Sequence, residues 1–547
     1  MNAMASFSRL LTLGIAALGA SSATCTPTTK MVYGFETIKP SPKLHWVPCF
    51  DQFSCANLEV PLDYANPSLG TTHVAFIKLA GTNATENSES ILLNPGGPGG
   101  SGVQLLLTYS NLTDQIFGTQ YNYVGFDPRG VNNSGLVLDC FSGNVAARAE
   151  FNRLHRIGAT NVSSESLVNQ FYSAQVYGEW CNNAVKKDNP LACYVTTPAV
   201  AHDMLAFVEA EAKSLGKPVK KSKLWYYGIS YGTVLGATFA SLFPDRIGRM
   251  VLDGVEDSKE YYTNNWRVDL EQDDEALDEF STFCFQAGAS NCSFWGPSAK
   301  DVSTRFDKII SDLKHTPVPL SGIGVEGRNV PSLVTYTDIK AFLIAAIYDP
   351  LSSYPVLADL LHQLENGNFS SLAGYFHSYD LKEDSSNIIK CVDSYQRNAL
   401  VTFGDWVDYV AYATNASRYI GDIYPQYAET ILCRGFKPDV PDSLIFQGSL
   451  PASAPNTSFP IIFASNTVDP VTALSSAFDM SKHFPGSVVI KQEAVGHSVS
   501  GQGGSPCYWG HIQAYFAGTV PPSNITCSRY LVPFLDASPQ VGTISRG

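Results

Sequence analysis

Residues 225–233 read WYYGISYGT, a serine between two glycines directly after an apolar run. KLWYYGIS (223–230) reads as a strand, and YGTVLGATFASLF (231–243) reads as a helix closed by Pro244. A G-x-S-x-G sequence between a strand and a helix is the context of a nucleophile elbow. There the serine sits on a strained turn that only small neighbours permit. Gly228 and Gly232 supply that room, and the helix that follows points its positive dipole end at the Ser230 hydroxyl.

A serine hydroxyl at neutral pH needs a base to take its proton and an acid to orient that base. In this architecture the chain order is Ser, then Asp or Glu, then His. Six histidines follow Ser230: His315, His362, His377, His483, His497 and His511. His497, in QEAVGHSVSG, follows the strand-like SVVIKQEAV (487–495) on a glycine-flanked loop and is the expected base. FPIIFASNTVDPVT places Asp469 after the preceding strand, making it the expected acid, with Asp479 as the alternative. Asp469 also reads as the N-cap of a helix starting near Val471. Donors for a developing oxyanion are expected from Gly97 or Gly96 in NPGGPGGSG (94–102) and from the N–H of Tyr231. The glycine-rich loop lacks G-x-x-x-x-G-K-[ST], which argues against phosphate binding.

Around this centre the pattern is α/β. HVAFIKLAG (73–81), SILLNPGG (90–97), YNYVGFDPRG (121–130), RMVLDGV (249–255) and FPIIFASNT (459–467) read as further strands. VAHDMLAFVEAEAKSLG (200–216) has helical spacing and a glycine stop. Strands alternating with helices predict a mostly parallel central sheet with helices on both faces. From about 256 to 440 the texture turns helical, as in EQDDEALDEFSTFCFQAG, so a helical cap interrupts the core. The expected layout is 1–23 signal peptide, 24–255 first part of the core, 256–440 cap and 441–547 second part of the core.

The 547 residues are 44% hydrophobic and only 16% charged, with a net charge of −14. An acidic chain without a basic cluster argues against nucleic acid and anionic membranes as partners. Arg9 followed by LLTLGIAALGA and small residues reads as a secretion signal cleaved near Ala23; the run is shorter than the about 20 residues a span requires. Twelve cysteines fit an oxidising, extracellular setting, and loop length favours Cys49–Cys55, Cys181–Cys193, Cys284–Cys292 and Cys507–Cys527, with Cys25 or Cys140 as competitors. Sequons at Asn83, Asn111, Asn132, Asn161, Asn291, Asn368, Asn415, Asn456 and Asn524 are glycosylation candidates. With neither C-x-x-C nor His-x-x-x-His, a zinc site has little support, and no metal or organic cofactor is expected.

CANLEVPLDYANP, ILLNPGGPGGSG, VGFDPRGVNNS, YYGISYGTVLGATFASLFPDRIGRMVLDGV and GHSVSGQGGSPCYWGHIQAYFAGTVPP together resemble the secreted tripeptidyl-aminopeptidase branch of the prolyl-iminopeptidase-like α/β-hydrolases. The resemblance runs from about Cys55 to Cys527 and is weakest in the helical insertion. It implies an α/β-hydrolase fold with a cap, and a serine exopeptidase acting near a free peptide N-terminus, with Ser230, Asp469 and His497 as its triad. Prolyl iminopeptidases carry a histidine before the first glycine pair, where this chain has Asn94-Pro95, so release of single prolines is disfavoured. Recognition of an α-amine would draw on cap carboxylates, for which EQDDEALDE offers Glu271, Asp273, Asp274, Glu275, Asp278 and Glu279. The expected protein is a monomeric, secreted hydrolase of a peptide or small acyl substrate. An esterase or lactonase on the same scaffold, and a non-catalytic binding protein, are the competing readings.

Overall fold

A computed structural model describes residues 30–188, 191–320, 332–367, 384–428, 430–446 and 456–536. The signal-peptide assignment, Cys25, Asn368 and His377 lie outside these residues. The strands are β1 (Val47–Cys49), β2 (Phe53–Pro61), β3 (Thr71–Ala80), β4 (Ser90–Asn94), β5 (Asn122–Asp127), β6 (Leu224–Ile229), β7 (Ile247–Asp253), β8 (Val318–Leu320), β9 (Ser332–Val334), β10 (Ile462–Val468), β11 (Val488–Val495) and β12 (Ile525–Cys527).

Ten of them form one sheet in the order β1-β2-β3-β5-β4-β6-β7-β10-β11-β12. From β5 to β12 every pairing is parallel. The leading strands β1 to β3 run antiparallel, a feature the sequence pattern did not signal. β4, β5, β6 and β7 are buried almost throughout, as strands covered on both faces must be. One face packs against helices Thr197–Ser214, Tyr231–Leu242 and Leu474–Lys482, with Phe76, Phe207, Leu235 and Phe463 in the shared core. The other face packs against helices Gly102–Tyr109 and Pro506–Phe516 through Leu106, Tyr227, Ile512 and Phe516.

The VGFDPRG stretch closes β5 and pins the surrounding loops. Asp127 accepts hydrogen bonds from Ser101 Oγ at 2.5 Å and Asn133 Nδ2 at 2.8 Å. Arg129 is fully buried and reaches both oxygens of Asp203, at 2.6 and 2.7 Å, while its other N–H groups take the carbonyls of Pro61, Leu62 and Tyr194.

A second core lies over the carboxyl ends of the strands, where helices Asp273–Ala287, Ala299–Leu313, Tyr336–Tyr348 and Pro350–Asn366 bury Phe280, Phe306, Leu343 and Leu357. The short antiparallel pair β8–β9 joins two of these helices. Helices Val145–His155 and Ser166–Asp188, which the sequence reading did not locate, bury Phe151, Phe171 and Tyr177 in the first core. Phe171 meets Phe403 edge-on, and Asn182 donates to Gly435 O.

Among the described residues five disulfides are formed: Cys49–Cys55, Cys140–Cys181, Cys284–Cys292, Cys391–Cys433 and Cys507–Cys527. The expected Cys181–Cys193 bond is corrected by the second of these. Asp384 accepts the Cys140 N–H at 2.7 Å and holds that loop against helix Ser166–Asp188, while Cys193 lies buried in the short turn Ala192–Tyr194 and joins none of the five. The shorter loop would have gained only about 1 kcal/mol of closure entropy, less than helix direction decides. The eight sequon asparagines within the described residues are all exposed. No helix among the described residues is long and apolar enough to cross a membrane.

Candidate active site

The turn at the end of β6 has the expected strain. Ser230 adopts φ 57°, ψ −127°, immediately before helix Tyr231–Leu242, a conformation held only where the surroundings dictate it. The Ser230 N–H donates to Asp253 O at 3.0 Å, tying the elbow to β7. A Cβ on Gly228 would lie 2.5 Å from Gly232 O, and one on Gly232 would lie 2.9 Å from Asn94 Oδ1. Both positions therefore have to be glycine, for the reason the sequence suggested.

The glycine loop after β4 abuts this turn. Gly96 has φ +92°, and a Cβ there would sit 2.8 Å from Ser230 Cβ and 3.0 Å from Tyr231 N. Gly97, Ser230 and Tyr231 border one cavity of about 200 Å³. As first residue of its helix, Tyr231 has an N–H without an intrahelical acceptor, a donor available to an oxyanion. Its side chain is anchored. Tyr231 Oη and Thr197 Oγ1 are 2.6 Å apart, and Thr197 Oγ1 donates to Asp393 Oδ2 at 2.6 Å. Burial pushes the Asp393 carboxyl up to about 6.

His497 and Asp469 lie together beyond β11 and β10. His497 Nδ1 is 3.2 Å from Asp469 Oδ1. The Asp469 carboxylate is fully buried and also accepts the N–H groups of Val471, Thr472 and Ser498 at 3.0, 2.9 and 2.8 Å. The helix expected near Val471 starts at Leu474, so Asp469 caps a turn instead of a helix. His497 Nε2 is buried and makes no hydrogen bond among the described residues, Ser230 included. The imidazole Cε1 approaches the position of a Cβ on Gly254 to 3.3 Å, one residue past the carbonyl that holds Ser230. The histidine and the serine thus flank the same strand end. Catalytic hydrogen bonds are commonly long before substrate tightens them.

Of the alternatives, Asp479 pairs with Lys482 on the surface, away from this centre. His315 and His362 are exposed, His483 caps its helix, and His511 lies beside the Cys507–Cys527 bridge.

The sequence reading missed the acids of the cavity. Glu256 and Asp269 line it together with Ser230, and both are buried, at 3% and 6% exposure. Burial, reinforced by neighbouring carboxylates, pushes Glu256 well above its ordinary range and Asp269 up to about 8. Glu256 Oε1 has no hydrogen-bond partner among the described residues; Asp269 accepts from Tyr424 Oη at 3.0 Å. Of the six cap carboxylates nominated from the sequence, only Asp273 is buried here, with Asp269 and Asp469 near enough to raise its pKa further. Asp274 caps the backbone at Arg418 and Tyr419, Glu271 accepts from Ser475, and Asp278 pairs with Arg418. Tyr261, Trp266 and Tyr348 complete an aromatic wall.

Residues of the helical layer touch Asp469 and His497 directly. Gln272 Oε1 accepts the N–H groups of Asp469 and Leu474, at 3.3 and 3.0 Å, and Tyr348 O accepts the His497 N–H at 3.0 Å. The Tyr348 ring meets the imidazole edge-on at 5.2 Å.

Comparison with known proteins gives two family matches: residues 89–291 match the alpha/beta hydrolase fold, and residues 429–527 match the TAP-like protein family. The serine protease Hip1 of Mycobacterium tuberculosis is 26% identical over 487 residues, covering 86% of this chain and 87% of that protein. A tripeptidyl aminopeptidase of Streptomyces lividans is 32% identical over 204 residues, covering 37% of this chain and 35% of its own length. A carboxylesterase B of Mycobacterium tuberculosis is 25% identical over 494 residues, covering 87% of this chain and 86% of that protein.

Proposed function

We propose that this chain, which matches the alpha/beta hydrolase fold and the TAP-like protein family, is a secreted serine exopeptidase that takes peptides by their free amino terminus. In this reading residues 24–255 and 441–547 form the hydrolase core and 256–440 the cap. Ser230 Oγ attacks the scissile carbonyl while His497 Nε2 accepts its proton. Asp469 keeps the Nδ1–H of His497 oriented and stabilises the imidazolium. The N–H groups of Gly97 and Tyr231 receive the oxyanion. His497 then protonates the departing amine, and water attacking the acyl-serine by the same route releases the short peptide. The five disulfides and the exposed sequon asparagines support an oxidising, extracellular location.

The observation that carries an exopeptidase over a general hydrolase is the pair Glu256 and Asp269 in the cavity that Ser230 borders. Among the described residues neither carboxylate forms an ion pair, although Lys390 also lines the cavity; buried carboxylates in that state are costly, and a substrate ammonium would supply charge to offset them. An ester-specific enzyme has no use for them. The similarity to a protein named carboxylesterase B nevertheless supports an esterase as the second reading. The experiment is incubation of the purified protein with a mixed peptide library, read by mass spectrometry. Loss of short N-terminal fragments from free peptides, but not from their N-acetylated copies, supports the proposal. Cleavage of esters alone would leave the second reading.

A further inference from the structure

Besides Val468 O, which accepts the Gly496 N–H at 3.0 Å, and the neighbouring Thr472 and Gln502 side chains, four groups hold the histidine loop 496–500. Asn466 Nδ2 donates to Gly496 O and Ser498 O, at 2.8 and 2.7 Å. Asp469 accepts the Ser498 N–H, and Tyr348 O accepts the His497 N–H. The first two lie on the β10 side and the third on the cap. None of them touches the serine elbow through the bonds described. The fourth group does. Asp253, the last residue of β7, is fully buried, and its carboxylate accepts the Val499 N–H on Oδ1 at 2.7 Å and the Ser500 N–H on Oδ2 at 2.8 Å. The carbonyl of the same residue accepts the Ser230 N–H at 3.0 Å. Tyr227 Oη donates to Oδ2 at 2.7 Å and is itself 2.9 Å from Tyr508 Oη, so the carboxylate is locked in place from behind.

We propose that Asp253 is a positioning residue that sets the spacing between the nucleophile and its base, its main chain holding Ser230 and its side chain holding the loop that carries His497. The inference rests on the triad reading above. Its force comes from a gap: His497 Nε2 has no partner at rest, so no direct bond fixes it relative to Ser230. The distance between them is set by what both are tied to, and Asp253 is tied to both. A misplacement of about 1 Å between reacting groups costs on the order of 100-fold in rate.

The geometry makes Asp253→Asn a sharp test. Each carboxylate oxygen takes one backbone N–H, so whichever way an amide is turned, one N–H meets an NH₂ group and the loop must shift. Wild type and variant are compared in turnover of a peptide substrate, in the rate of fluorophosphonate labelling, and in the number of sites titrated per folded molecule. The expected result is a kcat about 100-fold lower at a KM within about twofold, labelling slowed in parallel, and close to one titratable site per folded chain. Fewer titratable sites with normal turnover at each would overturn the proposal, because that is the signature of a purely structural residue. Asp253→Ser, whose hydroxyl and an admitted water can satisfy the buried N–H groups, repeats the test if the asparagine variant does not fold. Failure of both to fold would likewise overturn it. Wild-type protein that takes up no label at all would instead sink the triad reading.

Discussion

Asp469 Oδ1 stands 3.2 Å from His497 Nδ1, while its partner oxygen takes the N–H of the very next residue, Ser498, at 2.8 Å. One carboxylate therefore sets both the orientation of the imidazole and the course of the loop that bears it. Asp469→Asn keeps the shape but offers an amide where an acceptor is needed, favouring the wrong imidazole tautomer. The expected result is a kcat about 1,000- to 10,000-fold lower with little change in KM, measured by steady-state kinetics on one peptide. A loss below about tenfold would remove Asp469 from the assigned role.

Glu256 and Asp269 give a substrate-dependent prediction. Glu256→Gln and Asp269→Asn are expected to raise KM for peptides with free amino termini about tenfold or more, as fits loss of a charge-assisted contact of about 1.5–3 kcal/mol. The same variants leave the KM of a small ester without an amine within about twofold.

The pH dependence follows with its sign. Asp269, pushed up to about 8 by burial, carries its proton at acidic pH and cannot attract an ammonium there; it gains charge as pH rises. A peptide α-amine loses its charge above about 7.7–8.0. kcat/KM for free peptides is therefore expected to peak near pH 7–8 and to fall more steeply on the acidic side than kcat/KM for an amine-free ester. Parallel acidic limbs for the two substrates would contradict amine capture by these carboxylates.

Stability has its own test at the end of β5. Arg129→Met strands the buried Asp203 carboxylate and is expected to cost about 3–5 kcal/mol in chemical denaturation. Adding Asp203→Leu removes the stranded charge, so the double variant is expected to recover a large part of that loss. Additive losses would show that the pair is not the coupled unit its geometry describes.

The sequence disclosed those parts of the site that short-range physics dictates. Gly228 and Gly96 are glycines because a Cβ at each would strike backbone, and at Gly232 it would press on buried Asn94; that requirement is visible as a motif. His497 was legible as a histidine on a glycine-flanked loop after a strand. Glu256 was not. Three residues beyond β7, in GVEDSKE, it reads as one more loop acid, and only the tertiary packing around it makes it a buried carboxylate. Asp253 was hidden as well, since its two side-chain bonds to the histidine loop cross 246 and 247 residues. The Cys140–Cys181 bond escaped because loop length is a weak guide when a helix fixes the direction of one thiol.

Groups from distant parts of the chain make the hydroxyl of Ser230 reactive in the proposed mechanism. The most direct measurement is to treat the purified protein with a fluorophosphonate and locate the adduct by peptide mass spectrometry. The prediction is a single adduct, on Ser230, formed in step with loss of peptidase activity and abolished in a folded His497→Ala variant. A protein that hydrolyses peptides at an undiminished rate with Ser230 replaced by alanine, or whose adduct lies on another residue, would contradict it.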